Sequence, residues 1–199
     1  MLSDIVINAK NYVKNLLIKK WITEDNWYYY HNWNHTKTVF EEVIKLWDQE
    51  MLNEEYKEIL QLAALFHDVW FIEQYDNNEY IWANIAEEWL KKHNYPKDKI
   101  DIVKQTILAT IVWYKPKNLL EQIIKDADLY NLWSNSFIDC WNKLRKELEE
   151  IKWIKFSDED RKKYSSNFIS NFEFYSNSWK KLRKKYLEKN KQKMLENNN

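Results

Sequence analysis

Glycine is absent from this chain, so any turn that needs a left-handed backbone must be made by a residue with a Cβ atom. A chain of 199 residues would ordinarily hold about 14 glycines, at roughly 7% of residues. Tryptophan instead reaches 12 residues. A bulky residue in the left-handed position after a helix is strained by roughly 1 kcal/mol or more. Helix ends are therefore where this composition matters most.

Composition excludes several classes of protein. An apolar content of 45%, with 17% aromatic residues, excludes a disordered chain. Basic and acidic residues number 31 each, and the aromatic segments lack an accompanying basic patch, so we expect no nucleic acid partner. The N-terminal segment is interrupted by Asp4, Lys10 and Lys14, unlike a signal peptide or a membrane span, and we expect no membrane partner. The single Cys140 fits a reducing, cytoplasmic location. Nothing in the sequence indicates an oligomeric state.

Apolar residues recur at helical spacing and predict an all-α fold, a single compact bundle of about seven to eight helices. The predicted helices run from Ser3 to about Lys20, Asn34 to about Gln49, Asn53 to about Val69, Asn77 or Asn78 to before Pro96, Pro96 to about Val112, Pro116 to about Leu132, Ser134 or Ser136 to about Ile151, and from Ser157 as one long last helix. The third is apolar nearly all round between Ile59 and Phe66, which is typical of a central helix. We expect one domain over residues 1–185 and a polar, frayed tail over 186–199.

The strongest chemical signal is an ordered set of metal-ligating residue types. It consists of His35, the adjacent pair His67 and Asp68, and an acid within the segment KDADL. Neighbouring residues on a helix differ by about 100° in direction, so His67 and Asp68 reach one ion only from the side or end of a helix. Imidazole and carboxylate together suit Mn, Fe, Co, Ni or Zn better than Ca. The set therefore predicts one divalent transition metal ion.

The acid in KDADL is Asp126 or Asp128. Two residues apart on a helix means about 200°, so only one of them faces the ion. Asp126 shares its face with Leu119, Ile123 and Leu129, and a buried ligand should emerge from the apolar face. We therefore predict Asp126 as the ligand, with Asp128 as the alternative.

Three motifs carry a resemblance to a known family. The segment YHNWNHT holds His35, LAALFHDVWF holds His67 and Asp68, and an Asn-Glu pair precedes DADL. This order resembles the HD superfamily of metal-dependent phosphohydrolases over roughly residues 30–133. The resemblance implies an HD-type helical domain with His35, His67, Asp68 and one Asp of KDADL as metal ligands. It also implies hydrolysis of a phosphoester in a small phosphorylated substrate, such as a nucleotide, by metal-activated water.

The candidate catalytic residues are Asp68, His31, Lys125 and Glu79. His31 either contacts phosphate or supports the ligands, or else bonds nearby backbone at a helix start. Lys125 either offers a cation to phosphate or is a solvated lysine. Glu79 either orients a water or a ligand histidine, or its negative charge only interacts favourably with the dipole at the start of a helix.

The small number of histidines favours one metal over two. Two-metal relatives of the HD superfamily need further histidines between the HD pair and the final Asp, and only His93 lies there. His93 is predicted to be structural, near the end of a helix. A metal-binding regulatory protein without turnover is the alternative function, and di-iron oxidation is a third class.

Several tryptophans stand where relatives carry glycine. Trp70 follows the HD pair and Trp133 follows DADL, while Trp47, Trp113 and Trp179 fall at or near predicted breaks. One hypothesis is that UGA codons for glycine were translated as tryptophan. UGG codons at Trp70 and Trp133 would refute it.

Overall fold

The structure, a computed structural model, describes residues 2–23, 28–47, 49–69, 78–152, 155 and 157–196. Within these ranges the chain is entirely helical apart from its connections, which confirms the all-α prediction. The helices are α1 (Asp4–Thr23), α2 (Trp33–Trp47), α3 (Glu54–Phe66), α4 (Asn78–Lys92), α5 (Lys97–Leu108), α6 (Leu119–Asp128), a 3-10 helix (Tyr130–Trp133), α7 (Phe137–Lys152), α8 (Asp158–Asn171) and α9 (Asn177–Glu196). Trp70 and Asn77 lie outside the described residues.

The third helix, α3, is central, as its sequence predicts. Every side chain from Ile59 to Phe66 is buried, and α3 packs against α1, α2, α4, α5 and α6. Its start is fixed by Asn53, whose side-chain oxygen accepts a hydrogen bond of 2.8 Å from the N–H of Tyr56. The helix ends at Phe66, so His67 and Asp68 emerge from its C-terminal end, toward α2 and α6.

The long last helix predicted from Ser157 is wrong, because the structure has two helices there. Ser157 does cap α8, accepting a hydrogen bond of 3.0 Å from the N–H of Asp160. The backbone then becomes extended at Phe172, with φ −73° and ψ 133°. Through the connection, buried and exposed residues alternate: Phe172, Phe174 and Ser176 are buried, and Glu173 and Tyr175 are exposed. This alternation is that of an extended segment, which packs its aromatic rings inward.

Residues 186–196, for which the sequence predicts a polar, frayed tail, continue α9. Leu187, Asn190 and Met194 are buried at helical spacing, so the face between the lysines packs on the bundle. The amide of Asn190 donates hydrogen bonds of 2.9 Å to the carbonyls of Leu132 and Ser134, at the end of the 3-10 helix. These contacts order a segment whose composition alone suggests a solvated end.

Among the described residues, the left-handed positions belong to Met51 (φ 50°) and Asn94 (φ 56°), and no described tryptophan takes one. Trp113 is 83% exposed in the connection after α5. Trp133 and Trp179 are buried, with ring centroids 5.2 Å apart. The backbone at these tryptophans therefore does not require glycine. No described helix is long and apolar enough to cross a membrane.

Candidate metal centre

Four side chains meet where three helices end. His35 comes from the first turn of α2, His67 and Asp68 from the end of α3, and Asp128 from the last residue of α6. One potential ligand atom from each lies within 4.8 Å of the other three. His35, His67 and Asp68 are buried, while the Asp128 side chain keeps 21% exposure. The site is thus closed by protein on most sides and open on the side of Asp128.

The distances between these atoms fit a single metal ion. Nε2 of His35 lies 2.9 Å from Oδ2 of Asp68, 3.1 Å from Oδ1 of Asp128 and 3.2 Å from Nε2 of His67. Nε2 of His67 lies 3.1 Å from Oδ2 of Asp68 and 3.4 Å from Oδ1 of Asp128. Bonds of about 2.1 Å place neighbouring ligand atoms about 3.0 Å apart on an octahedral ion and about 3.4 Å apart on a tetrahedral one.

The two imidazoles are oriented in different ways. Nδ1 of His67 donates a hydrogen bond of 2.9 Å to the carbonyl of Ala64, which turns Nε2 toward the cluster. The ring of His35 lies between two tyrosines, with centroids 4.8 Å from Tyr30 and 5.7 Å from Tyr130. Both arrangements present Nε2 to the same point, as metal-binding histidines require.

The charges of the cluster compensate one another. Burial raises the pKa of Asp68, but the imidazoles of His67 and His35 outweigh it and hold that pKa well below its usual value. Burial lowers the pKa of His67, and the carboxylates of Asp68 and Asp128 drive that pKa well above its usual value. The Asp68 Oδ2 atom has no hydrogen-bond partner among the described residues. A buried carboxylate oxygen that meets only imidazole nitrogens is suited to a cation.

The structure places Asp128 in this cluster and not Asp126, the residue preferred from sequence. Asp126 is fully buried, but its carboxylate accepts hydrogen bonds of 3.0 Å from the N–H of Tyr175 and 2.8 Å from that of Ser176. Burial raises the pKa of Asp126 to about 6, even though both N–H groups lower it. The helix α6 is buried on two sides. The presence of apolar neighbours therefore does not tell which of these two sides faces the cluster.

Lys125 is neither solvated nor turned toward the cluster. Its ammonium donates hydrogen bonds to three carbonyls that follow or end α5: those of Ala109 (3.1 Å), Ile111 and Val112 (3.3 Å). Burial lowers the pKa of Lys125, although nearby carboxylates act in the opposite direction. Backbone carbonyls accept hydrogen bonds from all three N–H groups of the ammonium. In this arrangement Lys125 therefore does not offer its charge to a phosphate at the cluster.

His31 lies beside the cluster and is paired with a residue that the sequence did not single out. Its Nδ1 is hydrogen-bonded to the carboxylate of Glu147 on α7, and its ring centroid lies 5.6 Å from that of His35. Burial lowers the pKa of His31, but Glu147 outweighs burial and the pKa is raised. One signal could have revealed Glu147: it shares a helical face with the buried Phe137 and Cys140.

Glu79 and His93 lie outside the four-residue cluster. Glu79 is in the first turn of α4; partial burial raises its pKa, and the charges of Asp68 and Asp128 add to that effect. His93 follows α4, where its Nδ1 donates a hydrogen bond of 2.8 Å to the carbonyl of Trp89. His93 thus has the structural position that its sequence context indicates.

The ends of three helices bring two histidines and two aspartates together at a site that could hold a metal ion. A family model described as HD domain matches residues 32–132, which include all four cluster residues, and the chain belongs to this family. The family generally comprises metal-dependent phosphohydrolases. Among solved structures, the Lin1889 protein from Listeria innocua has a similar fold, with a TM-score of 0.67 and 14% identity over 98% of this chain and 94% of that chain. No curated protein matches the sequence.

Proposed function

We propose that this HD domain protein is a phosphohydrolase that cleaves a phosphoester of a small metabolite, such as a nucleotide, in the cytoplasm. The observation that supports the proposal is the spacing of His35, His67, Asp68 and Asp128: each imidazole Nε2 lies 2.9 to 3.4 Å from the other imidazole and from both carboxylates. Membership of the HD domain family supports the reaction class.

These four residues would hold one divalent transition metal ion, one of Mn, Fe, Co, Ni or Zn. Mixed imidazole and carboxylate ligands suit these ions. A bound ion supplies a water of lowered pKa and polarises a phosphoryl oxygen. The surrounding helices exclude solvent from three of the four ligands, which strengthens the interaction of their charges with an ion.

Glu79 and His31 are the residues that we assign to proton transfer and substrate contact. Partial burial raises the pKa of Glu79, which favours a carboxyl group able to hold a proton near the cluster and deliver it to a leaving oxygen. His31 stands beside His35 with its ring fixed by Glu147, in position to contact a phosphoryl group. Asp68 acts as a ligand, and Lys125 has no assigned role in the reaction.

The test is metal content followed by phosphate release from a panel of phosphoesters that includes nucleotides. Asp68→Ala removes a ligand and should abolish release, with a loss of metal. Asp139→Ala is the matched control, because Asp139 is an exposed aspartate on α7. Release that survives in Asp68→Ala would refute the site.

Two other outcomes would reassign the protein. Stoichiometric metal without turnover on any phosphoester would favour an HD-fold regulatory protein. Two irons per chain would indicate oxidation chemistry. His93 lies outside the four-residue cluster, with its ring stacked on that of Trp89 at a centroid distance of 3.8 Å, which gives no support to a second metal at this histidine.

A further inference from the structure

The carboxylate of Glu147 joins α7 to the residues that lead into α2. It is fully buried and accepts three hydrogen bonds: 2.8 Å from the N–H of Tyr30, 3.0 Å from the N–H of His31, and one from Nδ1 of His31. The partners are 116 and 117 positions away in the sequence. A buried carboxylate with three donors fixes both the backbone and the imidazole that it binds.

These bonds act on the immediate surroundings of the candidate metal centre. Tyr30 and His31 precede α2, whose first turn carries His35. The ring of Tyr30 lies 4.8 Å from the ring of His35, and that of His31 lies 5.6 Å from it. Glu147 thus holds two rings against one side of His35 without itself belonging to the cluster.

The pairing also determines how the imidazole of His31 faces the centre. Because Nδ1 donates to the carboxylate, the Nε2 edge of the ring is turned away from Glu147. A carboxylate paired with a histidine in this way fixes the ring orientation and the position of its proton. The charges of Asp68 and Asp128 act on His31, which places the ring within electrostatic reach of the cluster.

We propose that Glu147 is a positioning residue for this site: it acts through His31, and it holds the imidazole where it contacts a phosphoryl group bound at the metal centre. The inference rests on the proposed function for the identity of the ligand. Glu147 lies outside residues 32–132, the part that matches the family model. The C-terminal part of the chain would therefore contribute to substrate binding as well as to the fold.

The experiment compares Glu147→Gln, His31→Phe and the double variant in the full chain loaded with Mn²⁺. Glu150→Gln is the matched control, because Glu150 is an exposed glutamate one turn further along α7. Binding of inorganic phosphate is measured by calorimetry, alongside metal content and melting temperature. We expect each single variant to weaken phosphate binding about 10-fold, with metal retained. In a protein that already carries His31→Phe, Glu147→Gln should cause no further loss of phosphate binding.

Additive losses in the double variant would overturn the inference, because they would show that Glu147 does not act through His31. An equal loss in Glu150→Gln, or a wild-type protein that binds metal but no phosphate, would overturn it as well. If Glu147→Gln does not fold, Glu147→Asp replaces it. This variant should lose less phosphate affinity, and that loss should again disappear in the His31→Phe background. Phosphate binding without hydrolysis of any phosphoester would refute the proposed function alone, since the binding comparison still decides the role of Glu147.

Discussion

Two aspartates of α6, two positions apart, have opposite surroundings. Asp128 faces the imidazoles of His35 and His67, at 3.1 and 3.4 Å, and stays partly open to solvent. Asp126 is fully enclosed and is bound by the N–H groups of Tyr175 and Ser176. The more buried carboxylate is the one that faces away from the cluster.

The difference shows that the partners of a carboxylate, and not its burial, indicate its role. Backbone N–H groups bind Asp126 and stabilise the extended connection between α8 and α9. Imidazole nitrogens of His35 and His67 face Asp128 instead. One face of α6 thus serves the candidate metal centre, and the other attaches the C-terminal helices.

The largest expected effect is a difference in metal binding between variants of the two aspartates. Asp128→Asn should lower metal affinity and phosphate release by about 100-fold or more, since it replaces a charged ligand. Asp126→Asn should retain metal within a few-fold. Metal content after dialysis and the rate of phosphate release measure both effects. Loss of metal in Asp126→Asn but not in Asp128→Asn would reverse the assignment.

A second test uses pH and the free energy of unfolding. The pKa of Asp126 is raised to about 6 in the fold, from an ordinary value of 3.8, so the folded state binds this proton more tightly than the unfolded state. The contribution of Asp126 to stability should therefore fall as pH rises from about 4 to about 6, by up to about 3 kcal/mol. Asp126→Asn does not titrate, so the stability of the wild type relative to this variant should decline over that range.

The control for the pH test is Asp139→Asn, which changes an exposed carboxylate. The difference in the free energy of unfolding between the wild type and this variant should change little with pH. Denaturant titrations at several pH values provide the measurement. A wild type that gains stability relative to Asp126→Asn between pH 4 and 6 would contradict the raised pKa.

The smallest effect concerns Lys125, which directly precedes Asp126 on α6. Lys125→Met removes the hydrogen bonds to three carbonyls after α5 and should lower the free energy of unfolding by about 2 kcal/mol. The KM for a phosphoester substrate should stay unchanged. Lys115→Met, at an exposed lysine, is the control for both measurements. A raised KM with unaltered stability would restore the phosphate contact expected from the sequence.

Much of the site could be predicted from the sequence because its residues lie at helix ends. The His-Asp pair after a continuous apolar run predicted that His67 and Asp68 emerge together from a central helix. His35 was found through the motif that surrounds it. The sequence favoured Asp126 over Asp128 because helical periodicity identifies a buried face of a helix. It does not identify which residues pack against that face. Glu147 was missed because its partners are more than a hundred residues away.

The missed break between α8 and α9 has a physical origin. Residues 172–176 contain neither glycine nor proline, so no usual helix breaker marks the end of α8. The break depends on the burial of Phe172 and Phe174 and on the hydrogen bonds to Asp126. The apolar–polar alternation of Phe172, Glu173 and Phe174 was a usable local signal, but three residues are too few to outweigh the helical patterns on both sides.

The bonds between Asp126 and the α8–α9 connection have a consequence for how this protein can be divided. A fragment limited to residues 32–132 would keep every residue of the cluster. It would lose the N–H groups that bind Asp126, and it would lose both His31 and its partner Glu147. The segment that matches the family model is therefore smaller than the segment that folds, and a chain cut to residues 32–132 would keep the four cluster residues while losing contacts that support them.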